Sequence, residues 1–538
     1  MTVSTQASET AEFIRRVHVN QRELTDNLKS RYDFIVCGSG SSGSVVARRL
    51  AENPEVSVLL IEAGGCDDVP SVMEAAQWAS NLGSERDWDF QSRPNPNLNN
   101  RNIRMSMGKV LGGSSSINVM YWVHGHKKDW DFFAAEAGDE AWNHQSINKI
   151  YRSIEDWQGA PDPEYRGTGG PVYVEPTRST PLSLAVSEGA RSIGIPTFEN
   201  LNGRMMEGDG GWSQVELRQR RGKRLSVFRS YTFPYMDRPN LTVLTHAMVT
   251  RLIFEGKRVT SVEIAYDGKV HRISAGLEVV LSMGAINTPK VLMQSGIGHE
   301  DELRPLGIPV VRHLPGVGKN FQDHLLLFGC VREHKTDDVA SSGGNSCLQW
   351  KSDPALDTPD MQCVHLDGAY TSPETAKFNS PRNAWTFVPG LVRPKSRGKL
   401  HLTGPNPLDE MEIDANFLGD PDDLKAFQRS IELCREIAHS SALRPFVKRE
   451  VIPGDLKGSD LENFVRDSVL TYWHQTCTAK MGRDAMSVVD NKLKVYGIEN
   501  LRIADGSIMP RVTTGNTMAP CVVIGERAAE MLKNDHQI

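Results

Sequence analysis

The chain has 538 residues, longer than a single hydrophobic core usually grows, so we expect two joined domains. Its formal net charge of -6 gives no general attraction to nucleic acid or to acidic membrane surfaces. The eight cysteines show neither a C-x-x-C pair nor a metal-ligand spacing, which indicates reduced thiols and no metal site. No secretory signal and no apolar run of the roughly 20 residues that cross a bilayer is visible. We therefore expect a cytoplasmic protein without a membrane span.

The first predicted element is an N-terminal helical extension over residues 1-30. Apolar residues recur among charged ones from Ser8 to Leu28 with the spacing of a helix that packs on the body of the protein. We interpret this segment as a surface helix without chemistry and not as a targeting peptide.

A glycine-rich turn follows the extension. The apolar run Tyr32 to Cys37 predicts a strand, and it leads into Gly38-Ser39-Gly40-Ser41-Ser42-Gly43 and a helix from Ser44 to Ala51. A second buried strand, Val56 to Ile61, ends at Glu62. The order strand, glycine turn, helix, strand and acid is typical of a dinucleotide-binding unit.

Each residue type in this unit has a physical reason. Gly38 permits a tight turn, Gly40 lets the backbone approach a pyrophosphate, and Gly43 lets helix and strand pack closely. The helix N-terminus offers free N–H groups to phosphates. Glu62 can accept hydrogen bonds from a ribose hydroxyl, which argues against a 2'-phosphate but does not separate FAD from NAD.

The middle of the chain predicts a second, mainly β layer. Its strands are Leu241 to Val249, Val259 to Tyr266 and Leu277 to Ser282. The stretch Glu333 to Asp360 is rich in Ser, Gly, Asp and Pro and predicts an exposed loop that helps shape the substrate entrance. The basic run Arg218 to Arg224 predicts a solvated strand end or turn. The chain closes with a predicted strand and a predicted helix, Leu501 to Ala504 and Met518 to Leu532.

Two long segments resemble the signatures of the glucose-methanol-choline oxidoreductases. The first runs from Gly108 to Asn118 and continues through Trp122, Gly125 and Asp131, and the second runs from Gly284 to Gly298. The chain is most similar to choline dehydrogenase-like and L-sorbose dehydrogenase-like bacterial members, and the resemblance covers nearly everything from Tyr32 onward. Supporting segments are Gly316 to His324, Arg393 to Gly398 and His474 to Pro520.

The resemblance implies an α/β fold, with a Rossmann-like FAD-binding domain interleaved with an α+β substrate domain built on an antiparallel sheet. The implied FAD-binding domain comprises 31-155, 228-325 and 465-538, and the substrate-binding domain comprises 156-227 and 326-464. Family members with covalent FAD carry a histidine where this chain has Ile117. We therefore expect FAD that is bound without a covalent link.

The resemblance also implies which residues contact FAD. Val249 is expected at the adenine, Asp505 and Gly506 at the pyrophosphate and ribityl region, and the helix start at Asn516 and Thr517 near flavin N1 and C2=O. The ADP half is expected at Gly38, Gly40, Ser41, Ser42, Gly43, Glu62 and Ala63. The isoalloxazine is expected at Gly108, Val110, Gly112, Gly113, Asn118, Val119 and Met120.

Alcohol oxidation needs a base for the hydroxyl proton and a partner for the substrate oxygen. His474 matches the active-site histidine of the family, and an imidazole can be a neutral base near pH 7. Asn516 is expected to hydrogen-bond the substrate oxygen, with a helix N-cap as the alternative. Tyr121, Trp122 and Trp473 predict a slot for an aromatic or planar substrate, and packing in the core is the equal alternative.

The predicted reaction is hydride transfer from a primary or secondary alcohol to flavin N5, with His474 as general base. The small-molecule alcohol, the acceptor (O2 or an electron carrier) and the oligomeric state stay open. The main alternative is an FAD-containing enzyme of hydroxynitrile lyase type without net redox chemistry. A light-driven decarboxylase and a flavin-binding interaction protein are more distant alternatives. No metal is expected, because His124 and His126 have no third ligand nearby.

Overall fold

The computed structural model describes residues 3–336 and 345–538. Buried runs of β-formers build a seven-stranded sheet whose parallel part has five neighbouring strands. In spatial order these are Leu241–Leu244, Val58–Ile61, Arg31–Cys37, Lys269–Leu281 and Leu501–Ile503. The first half of Lys269–Leu281 also pairs with Arg258–Tyr266, which pairs with Met248–Glu255, both in antiparallel orientation. The helices Gly43–Leu50 and Met518–His536 pack on each other beside this sheet.

A second sheet has eight strands and is antiparallel. Its main strands are, in spatial order, Arg449–Ile452, Cys330–Glu333, Ala384–Leu391, Met361–Leu366, Asn345–Trp350 and Gly211–Gln214. The short strands Leu325–Leu326 and Leu470–Thr471 pair with each other, and the first also pairs with Ala384–Leu391. The helix Pro421–Ala438 contacts two of the central strands through an amphipathic face. The expected α/β fold with an antiparallel second sheet is confirmed.

Shorter elements connect and cover the two sheets. The remaining α-helices are Val3–Asp26, Pro70–Met73, Lys127–Ala137, His144–Ile154, Pro181–Ser192, Val227–Tyr231, Gly284–Gln294, Glu300–Leu303 and Gly458–Ser468. The remaining strands are Phe90–Gln91, Arg104–Met105, Glu155–Trp157, Val172–Pro176, Glu216–Leu217, Gln219–Arg220, Lys223–Arg224, Ile297–Gly298, Arg312–His313, Lys399–Leu402 and Met411–Asp414.

The N-terminal extension is a helix, as predicted. It packs on the body through Val17, and the Gln21 amide donates hydrogen bonds to the carbonyls of Met236 and Leu241. Within residues 3–336 and 345–538, no helix has the length and apolar character needed to span a membrane. The cellular location and the division into domains by residue ranges stay predictions.

The predicted strands between Leu241 and Ser282 do not form a second β layer. They belong to the same sheet as Arg31–Cys37 and Val58–Ile61, and the antiparallel sheet is built from other segments. The prediction was wrong because a local strand pattern does not encode which strands pair.

Two local predictions also differ from the structure. Leu241 to Val249 contains two strands and not one, because the chain turns at His246, which has a positive φ of 55°. The predicted loop from Glu333 to Asp360 contains the strand Asn345–Trp350, which is paired on both sides. The sequence did not predict this strand, because polar residues flank its apolar residues Cys347 and Leu348. Positions 337–344 of that predicted loop lie outside the described residues.

Candidate active site

A cavity of about 620 Å³ extends from the parallel sheet to the antiparallel sheet. One end lies where Arg31–Cys37 and Val58–Ile61 finish, and Gly38, Gly40 and Glu62 line it. The carboxyl ends of parallel strands are the usual ligand site of open α/β sheets. His474 and Asn516 line the same cavity, together with side chains of the antiparallel sheet. We call these two parts the glycine-turn end and the histidine end.

The backbone of the glycine turn fits the three roles predicted for its glycines. Gly38 has a φ of +99°, and a Cβ there would lie 2.4 Å from the carbonyl oxygen of Ser282. A Cβ on Gly43 would lie 1.9 Å from the carbonyl oxygen of Gly38, so only glycine permits this approach of helix and strand. A Cβ on Gly40 would have nothing nearer than 4.0 Å, and this residue leaves open space at the cavity wall.

The Glu62 carboxylate is buried at the glycine-turn end. One of its oxygens accepts hydrogen bonds from Ser39 N (3.1 Å) and Ser39 Oγ (2.7 Å), and the other accepts one from Gly64 N (2.9 Å). Burial raises the pKa of Glu62, and these hydrogen bonds act in the opposite direction. The oxygen that accepts from Gly64 N keeps acceptor capacity for a ribose hydroxyl, whereas the other already accepts two hydrogen bonds.

The first signature segment packs directly on the glycine turn. Gly112 and Gly113 both have positive φ values, and a Cβ on Gly113 would lie 2.8 Å from Gly40 Cα. The Gly112 N–H donates to Ser39 Oγ at 3.2 Å. Close contact of two glycine-rich backbones leaves an open cradle of backbone groups beside the cavity, which fits a dinucleotide such as FAD.

The basic run at Arg218 to Arg224 is not a solvated turn throughout, so that prediction is wrong in part. The side chains of Arg218 and Arg224 are buried, and neither forms an ion pair within the described part of the chain. Arg224 donates to Asn118 Oδ1 at 3.0 Å and to the Val72 carbonyl at 2.9 Å. Burial lowers the pKa of Arg218 to about 10 and that of Arg224 to about 9, so both stay cationic at neutral pH. Positive charge therefore lies behind the first signature.

His474 lies between two polar side chains at the histidine end. Its Nε2 is 3.1 Å from Asn516 Nδ2, and its Nδ1 is 3.0 Å from His324 Nδ1. Burial lowers the pKa of His474 to about 3 and that of His324 well below its usual range, so both rings are neutral. Since an amide nitrogen can only donate, His474 Nε2 is the acceptor and Nδ1 carries the hydrogen that is donated to His324. The unprotonated nitrogen is thus the one beside Asn516.

Asp323 holds the chain segment that carries His474. One of its oxygens accepts a hydrogen bond from the backbone N–H of His474 at 2.8 Å, and the other accepts one from the Gln475 amide at 2.9 Å and one from the Thr471 hydroxyl. These contacts fix a turn in which Trp473 has a positive φ of 59°. Asp323 and His324 are the last two residues of the segment from Gly316, which supports the family resemblance. The sequence alone predicted no role for either residue.

Most of the predicted site residues line the cavity, and Tyr121 and Trp473 do so at the histidine end. Asn516 is not a helix N-cap, because the helix begins at Met518 and its N-cap is Thr517. The cavity wall includes Gly38, Gly40, Ser41, Ser42, Glu62, Ala63, Gly108, Gly113, Asn118, Val119, Met120, Val249, His474, Asp505, Gly506, Asn516 and Thr517.

Four predicted residues lie outside the cavity wall: Gly43, Val110, Gly112 and Trp122. The two glycines act through backbone packing. Trp122 is fully buried, and its indole N–H donates to Glu155 Oε1 at 2.7 Å. The core-packing alternative is therefore correct for Trp122, and its assignment to the substrate slot is wrong.

Comparisons with known proteins match this chain to one family over most of its length. Two family models described as GMC oxidoreductase match residues 32–326 and 394–525. The mitochondrial choline dehydrogenase of Mus musculus is 36% identical over 94% of this chain and 90% of its own length. The oxygen-dependent choline dehydrogenase of Paraburkholderia xenovorans is 36% identical over 94% of both chains. The crystal structure of pyridoxine 4-oxidase from Mesorbium loti has a TM-score of 0.87 and 30% identity, covering 94% of this chain and 99% of that one.

The matched regions include both signature segments, the glycine turn, His474 and Asn516. Ile117, which lines the cavity, offers no nucleophile for a covalent link to the flavin. This chain belongs to the GMC oxidoreductase family and is an FAD-dependent oxidoreductase that acts on CH–OH donors.

Proposed function

We propose that the protein oxidises a primary or secondary alcohol to an aldehyde or ketone, with His474 as the general base and Asn516 as the partner of the substrate oxygen. The observation that supports this most directly is the 3.1 Å contact between His474 Nε2 and Asn516 Nδ2 at the cavity wall. In this family FAD, when bound, accepts the hydride from the carbinol carbon.

The proposed role of His474 as a base depends on the protonation of the two histidines, His474 and His324. His474 is neutral, and its Nε2 lone pair is directed toward Asn516 because Nδ1–H is donated to His324. A substrate hydroxyl that replaces the direct contact between His474 and Asn516 would donate its proton to Nε2 and accept a hydrogen bond from the amide. The imidazolium so formed is stabilised by the negative charge that develops on the substrate as the proton leaves. A positioned base of this kind contributes roughly 10²- to 10⁴-fold to the rate.

Asn516 is suited to hold the oxygen without competing for the proton. Its Oδ1 accepts a hydrogen bond from Gln362 Nε2 at 3.3 Å, which directs Nδ2 toward His474. Gln362 in turn donates to the Tyr472 hydroxyl at 3.1 Å. The amide is therefore oriented before substrate arrives, which is the condition under which a donor stabilises developing negative charge well.

The relatives support oxidation over the lyase alternative. Those reported above are named as dehydrogenases or as an oxidase, and their names point to choline and pyridoxine as alcohols. An enzyme of hydroxynitrile lyase type is therefore not favoured. The proposal includes both O2 and an electron carrier as the acceptor.

The test is anaerobic mixing of the holoenzyme with a panel of sugar, aliphatic, aryl and amino alcohols, followed by flavin absorbance. At least one alcohol should bleach the flavin, and the carbonyl product should appear in equal amount. A flavin that stays oxidised with every alcohol, while a cyanohydrin is cleaved, would favour the lyase. Readmitting air and assaying peroxide then identifies whether O2 is the acceptor.

A further inference from the structure

The cavity wall at the histidine end is apolar and aromatic. Val364 and Val388 face each other across paired strands, and with Leu326 they are at most 3% exposed. These side chains belong to a compact cluster that also contains Met120, Tyr121 and Tyr472. The apolar wall consists of Val119, Met120, Leu326, Phe328, Val364, Leu366 and Val388, with the rings of Tyr121, Tyr370, Tyr472 and Trp473.

The charged groups of the cavity lie elsewhere and are already engaged. Of the lining residues that the structure describes, only Glu62 and Asp505 carry a carboxylate. Glu62 is bound by the glycine turn. Asp505 accepts hydrogen bonds from Gly284 N (3.0 Å) and Thr288 Oγ1 (2.6 Å) in the second signature segment, and from Ser507 N (2.8 Å).

Asp323 contacts the backbone of His474 but presents no charge to the cavity. Asp323 is buried behind the His474 segment and is absent from the cavity wall, and both of its oxygens accept hydrogen bonds from that segment. The cationic lining residue Lys290 donates to the Asp409 carbonyl at 2.6 Å. No charged side chain among the described lining residues therefore offers a counter-ion beside His474.

We propose that the alcohol substrate has a neutral, apolar body and that quaternary ammonium alcohols are disfavoured; this inference rests on the proposed function. A cation that enters this pocket loses its hydration without gaining a partner among the described carboxylates of the cavity wall, and aromatic faces offset only part of that loss. A neutral alkyl or aryl group gains from leaving water for the same wall. The inference separates this chain from the relatives named for choline, which is a quaternary ammonium alcohol.

Two pairs of alcohols with matched shape test the inference on the holoenzyme. In the aliphatic pair, 3,3-dimethylbutan-1-ol replaces the nitrogen of choline by carbon. In the aryl pair, 4-tert-butylbenzyl alcohol is the neutral analogue of 4-(trimethylammonio)benzyl alcohol. We expect the neutral member to reduce the flavin at least about tenfold faster per unit concentration, because an unpaired buried charge is costly.

The outcomes separate the inference from the function on which it rests. A charged member that reacts as fast as its neutral partner overturns the inference and leaves alcohol oxidation intact. So does reduction of the flavin by sugar alcohols but by no member of either pair. If no alcohol of any class reduces the flavin, the proposed function itself fails.

A charge introduced into the wall provides a second test. Leu366 lines the cavity and is only partly buried, so it tolerates a polar replacement better than Val364 or Val388. Leu366→Glu should shift the choline to 3,3-dimethylbutan-1-ol rate ratio toward choline by about tenfold or more, since it supplies the missing counter-ion. Leu366→Gln is the matched control with similar size and no charge, and its ratio should stay near wild type. Equal ratios in the two variants, with wild-type flavin content, would contradict the inference.

Discussion

The two ends of the cavity are built from the chain in different ways. At the glycine-turn end, one continuous strand-turn-helix-strand unit from Arg31 to Glu62 provides the tight turn, the open cradle and the acid. At the histidine end, the wall combines segments that are far apart in sequence, with Leu326, Val364, His474 and Asn516 as examples. The first end is polar, and its Glu62 carboxylate is bound by Ser39 and Gly64 of the same unit or just after it. The second is largely apolar around the neutral imidazole of His474.

Because of this difference, we expect substitutions at the two ends of the cavity to have different effects. The glycine-turn end depends on backbone geometry, so a single added methyl group can prevent the fold. The histidine end depends on side chains, so substitutions there should change rate and substrate choice while FAD stays bound. Substitutions at the two ends can test this division.

Gly43→Ala should have the largest effect. Its Cβ would lie 1.9 Å from the Gly38 carbonyl oxygen, so helix and strand must separate, and we expect a loss of about 3 kcal/mol or more in unfolding free energy together with loss of FAD. Gly40→Ala is the matched control, because its Cβ meets open space. Without FAD it should unfold at the same temperature as the wild-type apoprotein, and its loss should be confined to FAD affinity. Thermal unfolding and flavin titration measure both, and equal stability of the two variants would contradict the packing argument.

His474→Ala should slow flavin reduction by roughly 10²- to 10⁴-fold while the protein keeps its FAD, because it removes the base. Burial lowers the pKa of His474 to about 3, so its imidazole stays neutral as the pH falls through 6.5. The ratio of wild-type to variant rates should therefore stay constant from about pH 8 to 5.5. Rapid-mixing absorbance measures the ratio. Near-normal reduction by the variant would remove His474 as the base.

His324→Leu should have an intermediate effect. It leaves the Nδ1–H of His474 without an acceptor, a cost of roughly 1–3 kcal/mol that corresponds to about a tenfold to hundredfold slower reduction. His324→Asn is the conservative variant, because its amide oxygen can accept the same hydrogen bond. It should recover most of the rate. Equal rates for the two variants would show that His324 acts only through packing.

Arg224→Gln should leave His474 and Asn516 in place. It should lower the reduction potential of bound FAD by on the order of 30 mV, which corresponds to about 1.4 kcal/mol, because it removes positive charge behind the first signature. Arg220→Gln removes an exposed arginine from the same hairpin and is the control. Dye-coupled anaerobic titration measures both potentials. An unchanged potential in Arg224→Gln would mean that this charge does not act on the flavin.

The smallest effect concerns the attachment of the cofactor. Because Ile117 provides no nucleophile, acid precipitation should release all of the yellow colour into the supernatant, and Ile117→Val should behave identically. Colour that stays with the precipitated chain would contradict non-covalent binding.

Features that depend only on residues close together along the chain could be predicted from the amino-acid sequence. The turn at Gly38, the packing at Gly43 and the acid at Glu62 follow from one short segment, because strand and helix periodicity and glycine conformations are local properties. His474 was identified through a segment that resembles the family, and the structure places it in the cavity wall.

Contacts between side chains that are distant in sequence became visible only in the folded protein. The contact of His324 with His474 joins residues 150 positions apart, and the burial of Arg218 and Arg224 depends on segments that the basic run does not reveal. Trp122 belongs to the continuation of the first signature, yet its indole faces Glu155 in the core. Whether a side chain is buried, and whether its charge is paired, depends on residues that the whole fold brings near it. No local sequence pattern encodes which residues these are.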